Sequence, residues 1–143
     1  MSNDEELKKY MALIEQYKEQ MNQLEMQTQY LQAAITDYNK AKITLEQISN
    51  AEVGTDMLLP IGGSTYVDAT AKNTSKVLYD IGGGIVTEKT TEDAVTSIDK
   101  RLEELQKTQD KLMEMIQNIQ TESTEVYSKA QKLLGEQETK NRD

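Results

Sequence analysis

Few residues have types and spacing that invite a chemical role. They are a triple glycine in Gly82-Gly83-Gly84-Ile85, a Gly62-Gly63 pair, and the acidic clusters Asp4-Glu5-Glu6, Glu92-Asp93 and Glu103-Glu104. A phosphate-binding loop needs a Lys and a Ser or Thr after its glycines, and a dinucleotide fingerprint needs a third spaced glycine opening a helix. Here the glycines lead into Ile85-Val86-Thr87, which reads as strand, so both glycine runs are expected to be hairpin turns. Paired carboxylates do acid–base work only where burial shifts a pKa. These pairs fall on expected helix surfaces or helix starts, where solvation and the helix dipole account for them. The chain has no Cys and no His. That excludes a disulfide, a structural zinc site, a thiol nucleophile and an imidazole base. The expectation is a non-enzyme with no catalytic residue, no cofactor and no metal site.

The elements are marked out by the helix breakers. Six of the seven Gly and the single Pro lie between Gly54 and Gly84. On either side, residues 5–48 and 92–135 are rich in Leu, Glu, Gln, Lys and Met and free of Gly and Pro until Gly135. As helices these flanks would each run for ~66 Å at ~1.5 Å per residue, far beyond an average globular helix. Within 143 residues this predicts one domain: a helix over 5–48, an insert over 53–90, a helix over 92–135 and a polar tail over 136–143. Hydrophobic residues reach only 36% and Tyr is the only aromatic, too little for a compact core of ordinary size. The net charge of -9 argues against nucleic-acid binding, which needs basic residues to replace counterions. No stretch is long and apolar enough to span a membrane, and Met1-Ser2-Asn3-Asp4-Glu5-Glu6 lacks the character of a signal peptide, so a cytoplasmic protein is expected.

Both flanks carry heptads. One seam position of the first holds Leu7, Ile14, Met21, Thr28, Ile35 and Lys42, and the position three residues on holds Tyr10, Tyr17, Leu24, Leu31, Tyr38 and Leu45. The second flank offers Val95, Leu102, Gln109, Ile116, Ser123 and Ala130, then Ile98, Leu105, Leu112, Ile119, Val126 and Leu133. Ten of twelve seam positions are apolar in each flank, the pattern of a coiled coil. An antiparallel register in which paired residue numbers add to 140 sets every a residue against a d residue. Each polar a residue then meets a partner with apolar bulk: Lys42 with Ile98, Thr28 with Leu112, Gln109 with Leu31, Ser123 with Tyr17. Cysteines placed at positions 24 and 116 are expected to cross-link within one chain; cross-links formed only between chains would sink this register.

The insert reads as two β-hairpins, Met57–Ile61 with Thr65–Ala71 and Lys76–Ile81 with Ile85–Lys89, with a free or bulged edge at Pro60. Thr90 or Thr91 is expected to cap the second helix. Two hairpins without a covering helix leave unpaired edges, so the fold class expected is mainly α with a small β insert. It is a long antiparallel coiled-coil hairpin with both β-hairpins at its closed end and its strands completed by oligomerisation. At the open end, Met11, Leu13, Tyr127 and Leu134 add apolar bulk beyond the seam residues Leu7, Tyr10, Ile14, Val126, Ala130 and Leu133. This surplus fits either a wider seam packed on another subunit or a surface that binds varied partners.

A long heptad helix, two Gly-turned hairpins and a second long heptad helix resemble the α-class subunits of prefoldin. The most specific matches are Leu58-Leu59-Pro60-Ile61-Gly62-Gly63 and the run from Ile81 through Gly82-Gly83-Gly84 to Lys89, leading into Glu92-Asp93-Ala94. Ser64 and Ala69 stand where many members of the family have Gly. The resemblance implies a heterohexamer of two α and four β-type subunits joined by a double β-barrel. It further implies an ATP-independent chaperone, a holdase that grips non-native polypeptides at coiled-coil tips and passes them to a group II chaperonin. On this chain the grip would fall on Leu7, Tyr10, Met11, Ile14, Val126, Tyr127, Leu133 and Leu134, and assembly on Leu59, Ile61, Tyr66, Val67, Val77, Leu78, Ile85 and Val86. The alternatives are a passive coiled-coil scaffold or adaptor without clients, and an RNA-gripping helical hairpin, which the net charge opposes.

Overall fold

The computed structural model describes residues 2–142. Helix α1 (Asn3–Asn50) is followed by strands β1 (Asp56–Gly62), β2 (Thr65–Thr70), β3 (Lys76–Asp80) and β4 (Val86–Thr90), then helix α2 (Thr91–Arg142). This order is the one the breakers predict. Helix α2 continues beyond the expected boundary at 135 to Arg142, so the polar segment after Gly135 is helical. Gly135 occupies an outer heptad position, where it costs the helix about 1 kcal/mol of propensity and no packing. Helix α1 opens with Ser2, whose Oγ accepts from the Glu5 N–H at 3.3 Å. Thr90 does the same for α2, accepting from Asp93 N–H at 3.1 Å.

The chain forms two compact units. The first combines residues up to Gln32 with those from Lys107 onward. Its buried apolar residues are Leu24, Leu112, Ala130 and Leu133, all seam positions. Across the seam, Gln109 Nε2 donates to Gln32 Oε1 at 2.9 Å and Gln137 Nε2 donates to Asp4 Oδ1 at 2.6 Å. The Tyr17 hydroxyl hydrogen-bonds Glu122. Burial first, and then the Glu122 and Glu125 carboxylates, push the Tyr17 phenol above its ordinary pKa and keep it neutral.

The second unit is Ala33–Gln106. Its interior is built on Ala94, Ile98 and Leu105 of α2, with Ala71 and Thr91 beside them. Lys42 Nζ lies 2.8 Å from Asp99 Oδ1, and Arg101 hydrogen-bonds both Glu104 and Tyr38. The interhelical pairs add to 141 (Asp4–Gln137, Gln32–Gln109, Lys42–Asp99) or 139 (Tyr17–Glu122, Tyr38–Arg101). Such pairs flank an a–d′ seam whose numbers add to 140, the intramolecular antiparallel register expected from the heptads. All twelve seam positions of each helix are buried or half-buried.

The polar seam residues are handled locally. Thr28 Oγ1 turns back to the Leu24 carbonyl at 2.8 Å, Gln109 reaches Gln32, and Lys42 extends to Asp99. The Asp99 hydrogen bond, and then its charge, hold the Lys42 ammonium above the usual lysine pKa. A raised folded-state pKa contributes stability that is fully present below the unfolded value near 10.5 and lost as pH climbs through the folded value. Lys42→Met is therefore expected to flatten the alkaline limb of a Tm–pH profile above about pH 10.5 while leaving the neutral region without that pH dependence. An unchanged alkaline limb would remove Lys42 as its source.

The strands form two separate antiparallel pairs, β1 with β2 and β3 with β4. The first register slips between Pro60 and Gly62, leaving a bulge at Ile61 as Pro60 predicts. The Ala71 N–H donates to Thr55 O, and backbone alternation from there turns the ring nitrogen of Pro60 away from β2. The β1–β2 turn runs through Gly63 and Ser64, both at φ +58, the signature of a type I′ hairpin. Ser64 thus holds the left-handed conformation despite its Cβ, which costs about 1–2 kcal/mol. Part of that returns as unfolded-state entropy if glycine replaces it, so Ser64→Gly is expected to stabilise the hairpin by about 0.5–1 kcal/mol. Urea denaturation checks this, and a loss of stability would contradict the turn type.

Candidate interaction surfaces

The triple glycine closes the second hairpin. All three residues have positive φ, Ile81 N–H donates to Ile85 O at 2.9 Å, and Asp80 Oδ1 accepts from Gly82 N–H at 2.8 Å. The run leads into β4, not a helix, and so lacks the amide crown that binds phosphate. The acidic pairs Glu92-Asp93 and Glu103-Glu104 lie exposed on α2. Among the described residues no group of three or more Asp, Glu, His or Cys is placed to hold a metal. Among the same residues no helix is long and apolar enough to cross a membrane. The surfaces that remain are apolar.

In the first unit, the eight residues expected at the tip divide by burial. Leu133 is buried in the seam, while Leu7, Tyr10, Ile14 and Val126 are half-buried there. Met11, Tyr127 and Leu134 are exposed, at 59%, 55% and 46%. The three exposed residues share the e position of their heptads. In this unit the Asp4–Gln137 and Gln32–Gln109 contacts join e residues of α1 to a residues of α2. The same spacing sets Met11 beside Ala130, Tyr127 beside Ile14, and Leu134 beside Leu7. They form one apolar stripe on one side of the coiled coil, ended by the polar Lys18, Gln120 and Ser123. The opposite side carries the polar Glu122 and Lys129 together with Leu13, which is half-buried rather than exposed. Further exposed apolar residues, Met26, Tyr30, Met113 and Met115, lie outside the seam. The heptad phase places Met26 and Tyr30 on the outer face of α1, a signal the seam reading did not use.

In the second unit, seven of the eight strand residues expected at the assembly surface are exposed, and Val77 is half-buried. Leu58 and Ile81 join them, unforeseen because both faces of a freestanding hairpin are open. Apart from Met57 and Ala69, β1 and β2 are exposed on both faces. In β3 and β4 the alternation is clean: Val77, Tyr79, Thr87 and Lys89 are half-buried and their neighbours exposed. Lys89 ties this hairpin to α2, its ammonium 2.9 Å from Ser97 Oγ and 4.9 Å from the Tyr79 ring centre. Both hairpins keep open edges, and the first is exposed on both faces, the arrangement that oligomerisation completes.

The family model described as Prefoldin subunit matches residues 17–136. The chain belongs to the prefoldin family. Its relatives identify the α class. A prefoldin subunit alpha of Archaeoglobus fulgidus is 25% identical over 126 residues, 88% of this chain and 92% of the relative. Another, from Thermofilum pendens, is 31% identical over 106 residues, 74% and 82% of the two chains. Among solved structures, the prefoldin beta subunit from Thermococcus strain KS-1 matches with a TM-score of 0.59 at 16% identity, over 88% of this chain and 90% of that one. A filamentous prefoldin from Methanocaldococcus jannaschii matches with a TM-score of 0.52 at 23% identity, over 93% and 98%. These two share the fold. Prefoldin is a family of chaperones and not of enzymes, and this chain is a prefoldin-type chaperone subunit of the α class.

Proposed function

We propose that this subunit works as an ATP-independent holdase, capturing non-native polypeptides on the stripe formed by Met11, Tyr127 and Leu134 over their seam neighbours. The observation that carries the reading is the one-sidedness of that stripe in a chain with a net charge of -9. The acidic surface keeps separate coiled coils apart in solution, while a short apolar face offers several weak contacts to an unfolded chain. Weak contacts suit capture and release, and avidity among several such coiled coils supplies retention. Methionine and tyrosine adapt to varied sequences, Met through its flexible thioether and Tyr through a body that is apolar with a polar tip.

On this reading the hairpins assemble two copies of this chain with four β-type prefoldin subunits, and the loaded assembly passes its client to a group II chaperonin in the cytoplasm. Exposed Leu59, Ile61, Tyr66, Val67, Leu78, Ile85 and Val86 supply the apolar surface for that assembly, with Val77 half-buried beneath. Two measurements test the reading. Native mass measurement after co-expression with a β-type subunit is expected to give a single hexameric species. The purified assembly is expected to suppress aggregation of a chemically denatured client at near-stoichiometric ratio, without nucleotide. Assembly without suppression would favour a passive scaffold.

A further inference from the structure

We propose that Met11 is an oxidation site: a hydroperoxide converts its thioether to the sulfoxide, and the added oxygen switches off the apolar stripe. The chain has no Cys, Trp or His, so its seven methionines carry its only sulfur and are its side chains most open to peroxide. Among the described residues, Met21 and Met57 are half-buried, whereas Met11, Met26, Met113 and Met115 are exposed, at 59%, 56%, 54% and 49%. The heptad phase puts Met21 in the seam and all four exposed methionines outside it. Peroxide therefore reaches these four sulfurs without opening the coiled coil, and water hydrates the sulfoxides once they form.

Of the four, only Met11 belongs to the stripe with Tyr127 and Leu134. Met113 shares the e row of α2 with those two, but Gln120 separates it from Tyr127 and ends the stripe. The neighbour of Met11 across the seam is Ala130, which is buried and offers only a methyl group as cover.

The step needs only the hydroperoxide. A sulfur lone pair attacks the distal peroxide oxygen, and the S–O bond forms as the O–O bond breaks. The other oxygen leaves with the proton, as water or an alcohol. Sulfur is oxidised by two electrons and the peroxide is reduced by two. In the reverse step a dithiol removes the oxygen as water and becomes a disulfide. The chain has no thiol, so reversal falls to an external, dithiol-dependent sulfoxide reductase. A sulfoxide is a strong hydrogen-bond acceptor that the apolar side chains of a client leave unpaired, so covering it costs free energy that covering the thioether does not. In a stripe with so few exposed members, one such change is expected to weaken capture by about tenfold per coiled coil.

The test treats the full-length chain, assembled with a β-type subunit, with hydrogen peroxide. Peptide mass locates the sulfoxides, and light scattering by a denatured client reads capture. Each assembly is compared with itself before and after treatment, and the partner methionines are the same throughout. Peroxide is expected to lower capture without changing the circular dichroism, and a methionine sulfoxide reductase with dithiothreitol is expected to restore it. Met11→Leu should remove most of the loss, whereas Met26→Leu, Met113→Leu and Met115→Leu combined should leave it. Equal loss with Met11→Leu, or loss that persists once the sulfoxide has been reduced, overturns the assignment.

The inference rests on the stripe as the client site, and the two fail separately. Met11 and Met26 are exposed alike, so they should oxidise at similar rates in the free assembly, and a bound client should slow Met11 alone. A client that slows neither sinks the stripe, and this inference with it. Protection of Met11 by client, with capture undiminished by its sulfoxide, sinks the oxidation switch alone.

Discussion

Replacing Met11, Tyr127 and Leu134 together by Gln is expected to leave folding and assembly intact while abolishing most of this subunit's contribution to client retention. Each side chain is about half exposed, so its transfer from water into a client contact is worth roughly 1 kcal/mol, half or less of the full-burial value. Three such losses on one stripe amount to about 3 kcal/mol, on the order of a hundredfold in affinity per coiled coil. Gln keeps helix propensity close to that of Met and Leu, and none of the three is buried. Circular dichroism and native mass should therefore be unchanged. The readout is light scattering by a denatured client, with the variant subunit assembled beside unaltered β-type partners. Removing residues 1–14 and 127–143 is the coarser form of the test, expected to preserve the hexamer and lose suppression. Full suppression by either variant would take client binding away from the stripe.

Ile98→Ala is expected to cost about 2–4 kcal/mol, the largest single effect on stability. Ile98 is 3% exposed and packs where α2 leaves the capping threonine at Thr90 for the coiled coil. Ala94 and Leu105 beside it are buried too, so the cavity left by three methyl-sized groups has little freedom to collapse. Against a total stability of about 5–15 kcal/mol for a typical domain, the loss should be plain in a urea midpoint. Ile43→Ala provides the comparison within the same unit. Its side chain is 56% exposed, and its removal should cost under about 1 kcal/mol. Equal costs for the two would mean that seam burial does not hold this unit together.

The parts of the fold legible in the sequence are those governed by a period. A heptad repeated over two flanks determines which residues turn inward, and the rule that paired numbers add to 140 follows from arithmetic alone. The contacts of Asp4, Gln32 and Lys42 on one side and of Tyr17 and Tyr38 on the other agree with it in each unit. Strand positions follow from Gly and Pro punctuation to within a residue or two. Local conformations with competing small terms were less legible. Gly135 suggested an end to α2, but one glycine on an outer face is too weak a breaker to stop a helix whose seam runs on through Leu133 to Gln137. Ser64 as a left-handed residue is a departure from propensity that only the hairpin twist explains. The tip residues could be gathered from the sequence but not ranked. Ranking needs the a–e′ contacts, which separate Leu133 in the seam from Leu134 on the surface.

The exposed strands have a consequence for the life of the subunit before it assembles. Two hairpins with open edges, the first of them exposed on both faces, present the kind of surface that chaperones are built to cover. Until partners arrive, a newly made copy is chemically a client. Its hairpins gain their stability by mass action, so the midpoint for their melting should rise with subunit concentration while the seam of the first unit melts independently of it. Supply of the partner subunits then sets how long each copy survives as an orphan, and the production of such a chain is best matched to theirs.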